Sequence, residues 1–324
     1  MMMQITSALG AWRILTAVAV VALVALEAVS AASFNVRDAT GRNVAIADPG
    51  RIVSIGGSVT EILYALGQER RIVAIDITSL YPARALNEKP NVGYLRQLSP
   101  EGVLGLSPSL VLASEGAGPK EAVAVIEAAS VPFVHVPDRF TGEGIVEKIR
   151  MIAAATGQDK QGDCLVKSVE ADLVAVAKMR AGVTMPARVV FILSFMNGRA
   201  MVAGKNTGAD GIIRLAGAVN AMSDFDGYKV VGDEALIAAQ PDSVLAMERS
   251  NFKLTADEVF SHAAFSVSPA AGSKSFVSME GLYLLGFGPR TAKAARDLAH
   301  SLYPSLETGT LPSEKAAPGE VCRP

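Results

Sequence analysis

The amino-acid sequence predicts an α/β protein with two lobes, each built on a central parallel β-sheet, joined by a single long α-helix. Between residues 51 and 136, short runs rich in β-branched residues alternate with helical patterns, and the same alternation returns after Pro186. This alternation is typical of parallel sheets covered by helices. A third observation is the stretch 158–182, which contains many good helix formers and no proline.

The first half of the chain contains four predicted strands. The helix after the first strand ends at Gly67, and another begins at Ser99, which suits the N-cap and is followed by Pro100 and Glu101, both favourable in a first turn. The predicted strands are 51–55, 71–75, 110–112 and 131–136, and the predicted helices are 60–66, the segment from Ser99, and 121–129. Together they define an N-terminal lobe, 33–157.

The second half repeats the pattern and predicts another Rossmann-like lobe, 183–310. The predicted strands are 188–193 and 243–247, and the predicted helices are 208–215, 232–239 and 290–302. The tail, 311–324, is rich in proline and is predicted to be disordered.

The stretch 158–182 predicts the linker between the lobes. Leu165, Val169, Leu173 and Val176 follow one another at steps of four, four and three, so they share one face of a helix. About 22 helical residues span roughly 33 Å at about 1.5 Å per residue. One helix is therefore long enough to be the whole connection.

Residues 1–32 have the pattern of a secretory signal peptide. Arg13 precedes an uncharged apolar run, 14–26, and small residues up to Ala32 suit a cleavage site. The run is short for a bilayer crossing, which needs roughly 20 residues. We expect the mature chain in a bacterial periplasm.

The net charge bears on the possible partners of the protein, and the cysteine content bears on a possible disulfide. The formal net charge is −2, so nothing indicates nucleic-acid binding. The two cysteines, Cys164 and Cys322, lie far apart in sequence, and an oxidising compartment permits a disulfide without requiring one. A bridge and two free thiols both fit the sequence.

The segment VGYLRQLSPEG holds the candidate binding residues. If the approach to the helix at Ser99 is extended, the side chains of Tyr94 and Arg96 point to the same side. A phenol titrates near pH 10, and a ferric ion or a fixed positive charge favours its phenolate form. Tyrosine is a known axial ligand of haem iron. An ordinary half-buried loop tyrosine with an arginine stacked on it is the alternative.

Four runs together, RIVSIGGSVTEILYALG, NVGYLRQLSPEG, MVAGKNTGADGIIRLAGA and GLYLLGFGPR, resemble the periplasmic haem-binding component of bacterial ABC haem importers, a class III substrate-binding protein family. The resemblance covers about 33–304. It implies a ligand cleft between the two lobes, Tyr94 as the axial ligand of the haem iron and Arg96 as its partner. Some family members add a histidine from the second lobe, but the corresponding segment here, 194–197, has none.

Further site residues are expected from the same resemblance. Met196 is a candidate for the other haem face, with packing as the alternative role. Arg249 and Arg290 are candidates for contacts with the haem propionates, and Tyr228 for the lining of the cleft. A surface or structural role is the alternative for the two arginines, and packing in the core or at the rim is the alternative for Tyr228.

The resemblance also implies partners. An inner-membrane ABC permease with its ATPase would receive the haem, and an outer-membrane haem receptor would act upstream; the binding protein itself is expected to be a monomer. Family members dock through one exposed glutamate on each lobe, and the positions assigned to this role are Glu61 and Glu234. Both also suit the positive end of a helix dipole.

Other functions fit the sequence less well. A periplasmic receptor for a ferric siderophore or a corrinoid is the nearest alternative, although the one tryptophan lies in the predicted signal peptide. A zinc or manganese receptor would need clustered histidines, and His135, His262 and His300 are scattered. The run 198–205 departs from a phosphate loop at Arg199, and no nucleophile elbow is present, so we expect no enzymatic activity.

Overall fold

The computed structural model describes residues 34–249, 253–315 and Cys322. The predicted signal peptide, 1–32, lies outside the described residues. Among the helices within those ranges, none is both long enough and apolar enough to cross a membrane.

The N-terminal lobe contains a four-stranded parallel sheet in the order β4-β3-β5-β6. Its strands are β3 (Ile52–Ile55), β4 (Ile72–Ile75), β5 (Leu110–Ser114) and β6 (Phe133–Val136). Every residue of β3 and β5 is buried, as expected for central strands covered on both faces. A preceding antiparallel hairpin, β1 (Phe34–Arg37) and β2 (Asn43–Ile46), has no counterpart in the predictions.

Five helices accompany this sheet. They are α1 (Gly57–Ala65), α2 (Ala85–Glu88), α3 (Pro100–Leu104), α4 (Lys120–Ala128) and α5 (Gly142–Thr156). Helix α3 starts as the sequence predicts, because the Ser99 hydroxyl accepts a hydrogen bond from the Gly102 amide at 3.2 Å.

The linker is the 22-residue helix α6, Asp159–Arg180. Leu165, Val169 and Val176 are buried, and Leu173 is partly buried, so the predicted apolar face packs inward. Helix α6 packs against α5 and joins the two lobes as one continuous element.

The C-terminal lobe has a six-stranded sheet that is mixed rather than purely parallel. Its strands are β7 (Arg188–Met196), β8 (Arg199–Ala203), β9 (Val219–Asn220), β10 (Tyr228–Val230), β11 (Ser243–Glu248) and β12 (Phe276–Glu280). Strands β7, β9, β11 and β12 pair in parallel, whereas β8 is antiparallel to both β7 and β10. Asn197 and Gly198, with φ of 49° and 76°, make the tight turn that folds β8 back onto β7.

Helices cover the C-terminal sheet and continue into the tail. They are α7 (Gly208–Leu215), α8 (Asp233–Ala239), α9 (Ala256–Ser261), α10 (Ala263–Ser266), α11 (Pro269–Ser273), α12 (Gly281–Leu285), α13 (Thr291–Leu302) and α14 (Pro312–Lys315).

The expectation of a disordered tail, 311–324, is wrong for its described residues. The amide and hydroxyl of Ser313 in α14 donate hydrogen bonds to the Asp172 carboxylate of α6 at 2.9 and 2.5 Å. Cys322 forms a disulfide with Cys164 of α6, with the two Cα atoms 5.5 Å apart. The tail therefore has partners on the linker helix, and the open question of the two thiols is answered by a bridge.

The largest apolar cluster runs through both lobes. It includes Ile52 of the first sheet, Ile149 of α5, Val169 of α6 and Leu298 of α13. Two smaller clusters cover the opposite face of each sheet. The lobes thus share a core along the side of the linker helix, while the loops at the carboxyl ends of their strands face each other.

Candidate functional site

A cavity of about 570 Å³ lies between the two lobes. The N-terminal lobe contributes the loops that follow β3, β4, β5 and β6, and the C-terminal lobe contributes the end of β11 and the start of α12. Ligands of open α/β sheets bind outside the carboxyl ends of the strands, where these loops meet. The residues lining the cavity are Gly56, Gly57, Ser58, Ile77, Thr78, Leu80, Tyr94, Leu95, Arg96, Ser114, Gly116, Asp138, Met247, Glu248, Arg249, Gly281, Leu282, Leu285 and Gly286.

A larger groove, of about 1270 Å³, is lined by helices α5, α6 and α7. Two of its charged side chains, Arg150 and Glu170, pair with each other at 3.8 Å, and none of the predicted site residues lies in its lining. We therefore place the candidate site in the interlobe cavity, where the predicted Tyr94 and Arg96 both lie.

Tyr94 and Arg96 reach the cavity from a turn, not from the extended segment that the sequence suggested. The Gln97 amide donates to the Tyr94 carbonyl at 2.8 Å, which closes a four-residue turn with Arg96 at its third position. Two hydrogen bonds of 2.8 Å join Leu95 and Leu98 to Gly118 and so hold the turn against the loop after β5. The Tyr94 side chain is left accessible in the cleft, with 37% of the residue exposed.

Arg249 and Tyr228 approach from the C-terminal lobe. Arg249 lines the cavity, and Tyr228 lies on β10 with its ring against Phe191. Burial raises the pKa of the Tyr228 hydroxyl, and contact with Thr207 and the positive charges of Arg96 and Arg249 offset part of this rise. Arg96 and Arg249 therefore lie close enough to act on the same phenol from opposite lobes.

Both cleft arginines are available to a ligand. Within residues 34–249 and 253–315, neither Arg96 nor Arg249 forms an ion pair shorter than 4 Å. Two uncompensated cations beside a tyrosine suit a ligand that carries negative charge.

Glu61 and Arg290 form an ion pair with each other. This corrects the predicted roles of Glu61 in permease docking and of Arg290 in propionate binding. The Arg290 guanidinium donates to the two Glu61 carboxylate oxygens at 3.0 and 2.9 Å, and its backbone amide donates to one of them at 3.3 Å. Only 5% of the Glu61 side chain is exposed, so it cannot present a carboxylate to a docking partner. Arg290 also stacks on Tyr81 and is absent from the cavity lining, so it does not face the site where a propionate was expected.

Met196 lies away from the cavity. It is the last residue of β7, is about half exposed, and pairs with Arg199 across the turn at Asn197 and Gly198. Met196 is not among the residues that line the cavity, so the structure does not bring it to the candidate site.

Several polar residues at the floor of the cavity were not predicted. They are Ser58, Thr78, Ser114 and Asp138, with Lys148 behind them. The available signal was the sequence Gly56-Gly57-Ser58 between a predicted strand and a predicted helix, since such a turn lets a ligand approach the backbone closely. Gly56 has φ of 115°, a conformation that favours glycine.

Residues 52–281 match the sequence profile of a family described as periplasmic binding protein. The chain belongs to the periplasmic binding protein family. The predicted fold class is confirmed by the same match and by the solved structures that share the fold.

Two solved structures show the relation in detail. The periplasmic heme-binding protein RhuT from Roseiflexus sp. RS-1, in apo form, is 36% identical, with a TM-score of 0.74 over 78% of this chain and 98% of that one. The periplasmic heme-binding protein BhuT, in complex with two hemes, is 38% identical, with a TM-score of 0.74 over 79% of this chain and 99% of that one.

Curated relatives are more distant. An uncharacterized ABC transporter substrate-binding lipoprotein of Bacillus subtilis, YvrC, is 28% identical over 82% of this chain and 84% of its own length. The vitamin B12-binding protein of Pectobacterium atrosepticum is 25% identical over 80% of this chain and 90% of its own length. The first of these relatives is named as a substrate-binding lipoprotein of an ABC transporter and the second as a vitamin-binding protein, in agreement with the membership of this chain in the periplasmic binding protein family.

Proposed function

We propose that this protein binds haem in the periplasm and delivers it to an inner-membrane ABC permease. The observation that carries the proposal is the position of Tyr94 and Arg96 on one turn in the wall of the interlobe cavity. The heme-binding relatives RhuT and BhuT, at 36% and 38% identity, support it.

In this proposal the Tyr94 phenolate oxygen binds the ferric iron of the haem. Arg96, two residues further along the same turn, compensates the negative charge of the phenolate. Arg249 on the opposite lobe faces the same cavity and adds a second positive charge for the anionic ligand. Leu95, Met247, Leu282 and Leu285 supply apolar surface for the porphyrin.

Replacement of Tyr94 by phenylalanine tests the proposal, since it removes one oxygen atom and keeps the ring. Haemin titration of the wild-type mature chain should give the charge-transfer absorption of a ferric phenolate. Tyr94→Phe should lose that band and bind haemin at least about 100-fold more weakly, since changes in residues that only support a metal ligand already cost about 10–100-fold.

Tyr64→Phe is the matched control for this titration. Tyr64 lies on α1 outside the cavity lining, and its buried hydroxyl has no hydrogen-bond partner in the described part of the chain, so its loss should leave haemin binding unchanged. Wild-type affinity and spectrum in Tyr94→Phe would exclude Tyr94 as the ligand.

A corrinoid is the second candidate ligand, because vitamin B12-binding proteins are among the relatives. A parallel titration with hydroxocobalamin separates the two ligands. We expect saturable binding of haemin alone, and saturable binding of cobalamin with no binding of haemin would replace the proposal.

Delivery requires a surface that the permease can recognise. Glu234 lies exposed in the first turn of α8 and remains a candidate for docking. On the N-terminal lobe the buried Glu61 is replaced as a candidate by Glu101, which is exposed in the first turn of α3, directly after the Tyr94 turn.

Charge reversal tests the docking surface separately from haem binding. The double variant Glu101→Lys and Glu234→Lys should bind haemin like the wild type and fail to stimulate the ATPase of the reconstituted permease. Because both side chains are exposed, the fold should be unaffected. Unchanged stimulation by the double variant would reject these two positions as docking residues.

A further inference from the structure

Phe140 of the N-terminal lobe is held by two elements of the C-terminal lobe. Its ring packs edge-on against the ring of Phe287, with the ring centroids 5.2 Å apart and the ring planes at 69°. Helix α7 covers the backbone of the same residue at Gly211. The lobes therefore meet at an apolar contact in addition to the ion pair between Glu61 and Arg290.

Gly211 allows α7 to approach Phe140 this closely. A β-carbon at position 211 would lie 2.5 Å from the Phe140 carbonyl oxygen and 2.7 Å from the Phe287 ring. Non-bonded carbon atoms keep about 3.5–4.0 Å apart, so an added methyl group requires a displacement of roughly 1 Å. A larger residue at this position would therefore push α7 and Phe287 away from the N-terminal lobe.

The backbone of Phe287 adopts a conformation that is unfavourable for a large side chain. Its φ is 49°, in the left-handed region, and only 1% of the residue is exposed. A bulky residue keeps such a conformation only where the surrounding contacts determine it. Glycine, which stands on both sides of Phe287 in GFGPR, would adopt it freely. The packing of the ring, rather than the turn, therefore explains a phenylalanine at this position.

The loop 286–290, which carries Phe287, contacts the N-terminal lobe at further points. A β-carbon at Gly288 would lie 3.3 Å from the Glu61 carboxyl carbon, and Arg290 donates to the same carboxylate at 3.0 and 2.9 Å. The steric contact of Phe287 and the ion pair of Arg290 thus lie three residues apart on one loop. Together they hold this loop against the first lobe.

Both phenylalanines closely follow residues that line the cavity. Asp138 lies two positions before Phe140, and Leu285 and Gly286 directly precede Phe287. The two cavity walls are therefore attached to the two sides of the contact. A change in the separation of the rings changes the separation of the walls.

From these contacts we infer that Phe287, packed against Phe140 and Gly211, is a positioning residue that sets the spacing between the two walls of the haem cleft. The inference rests on the proposed function, because haem is the ligand that both walls contact. Tyr94 on one wall binds the iron. The spacing decides how closely Arg249 and the apolar side chains of α12, on the other wall, approach the same porphyrin.

Spin labels on the two lobes measure the spacing without any ligand. Cysteines in place of Val125 and Val267, two exposed valines outside the cavity lining, carry the labels, since the native cysteines are joined in a disulfide. In double electron–electron resonance, Gly211→Ala and Phe287→Leu should shift the mean label distance in opposite directions, because one enlarges the contact and the other reduces it. The double variant should return towards the wild-type distance, since the shorter side chain makes room for the methyl group.

Two matched controls identify general effects of these substitutions. Gly272→Ala in α11 places a methyl group in open space, and Phe265→Leu shortens a side chain of the C-terminal lobe that is 0% exposed. Phe265→Leu should lower the melting temperature about as much as Phe287→Leu does, because both remove buried apolar volume. Neither control should shift the label distance.

Haemin provides the second measurement, on the same variants without labels. Gly211→Ala and Phe287→Leu should keep the charge-transfer band of the ferric phenolate, because Tyr94 belongs to the opposite wall. Both should release haemin to excess apomyoglobin at least about tenfold faster than the wild type, since changes in groups that only support a metal ligand cost about 10–100-fold in affinity. The two controls should release haemin at the wild-type rate.

The two measurements separate this inference from the proposed function. Unchanged label distances in Phe287→Leu and in Gly211→Ala would overturn the spacing role and leave haem binding in place, and Phe287→Leu decides alone where Gly211→Ala does not fold. Shifted distances with a wild-type release rate would overturn the positioning of haem by Phe287. Absence of haemin binding by the wild type would overturn the proposed function and, with it, the positioning of haem.

Discussion

Glu61 and Arg290 form an ion pair that connects the two lobes. Glu61 belongs to α1 of the first lobe, and Arg290 precedes α13 of the second. Burial alone would lower the pKa of Arg290, but its hydrogen bond and charge interaction with Glu61 outweigh this and raise it. The arginine also stacks on Tyr81 of the first lobe at 3.6 Å from the ring centre. A single side chain therefore contacts the opposite lobe at two points.

Replacing Glu61 by glutamine should destabilise the protein by about 3 kcal/mol, the lower end of the cost of removing one partner of a buried pair, because Arg290 keeps partial access to solvent. Urea unfolding monitored by circular dichroism measures the effect. Glu69→Gln, outside any ion pair of the described residues, is the control and should change stability by less than about 0.5 kcal/mol. Equal midpoints for the two variants would contradict the role assigned to the pair.

At the scale of elements, the disulfide and α14 attach the tail to the linker helix. Cys164 and Cys322 are 158 residues apart in sequence, and Asp172 accepts two hydrogen bonds from Ser313. The pairing could not be predicted from sequence, because only the folded positions of α6 and the tail show that the cysteines meet.

Removal of the disulfide should lower stability by about 2–5 kcal/mol, since a bridge that closes a long loop restricts the unfolded chain. The double variant Cys164→Ser and Cys322→Ser should therefore melt several degrees below the wild type in differential scanning calorimetry. The wild type in excess reductant should match the variant, which then should not respond to reductant. Identical melting temperatures with and without the bridge would show that α14 holds the tail by itself.

Glu314 makes the attachment of α14 dependent on pH. The hydrogen bond from Arg296, with the help of nearby Lys293, lowers the pKa of Glu314 from 4.5 to about 2. Because the folded value lies below the unfolded one, the stabilisation is complete above about pH 4.5 and is lost as the pH falls towards 2. The melting temperature of the wild type should decrease in this window more steeply than that of Glu314→Gln. Parallel curves for the two proteins would contradict the assignment.

The sequence predicts the parallel part of the fold well and the antiparallel part poorly. Buried runs such as 110–112 identify central strands by composition, and Ser99 identifies the start of α3 by its capping chemistry. The pair Asn197-Gly198 is typical of a β-hairpin turn, but the surrounding alternation of strands and helices favoured a purely parallel sheet. Strand β8, which pairs antiparallel with β7, was therefore not predicted.

The same contrast applies to the site. Tyr94 and Arg96 lie two positions apart in one motif that carries the family resemblance, and the structure brings both to the cavity. Glu61 and Arg290 were misassigned because their pairing joins residues 229 positions apart. Site residues that share one sequence motif could thus be predicted from the sequence. Interactions between residues of different lobes could be recognised only from the folded structure.

At the scale of the whole molecule, three features oppose a large hinge motion. Residues 34–315 with Cys322 form one compact unit, the main core passes through both lobes along α5 and α6, and Arg290 bonds across the interface to Glu61. A continuous helix bends only at a considerable energetic cost unless proline or a similar defect interrupts it, and α6 contains no proline.

We therefore expect haem binding with little change in shape. Small-angle X-ray scattering of the wild type should show the same radius of gyration in the free and haemin-bound states, because the backbone of preorganised binding partners moves by only about 1 Å or less. Glu61→Gln, which lacks the charged contact across the lobes, should be more open when free and should contract on binding. A reproducible contraction of the wild type on binding would show that the two lobes move about a hinge in spite of the core that they share along α5 and α6.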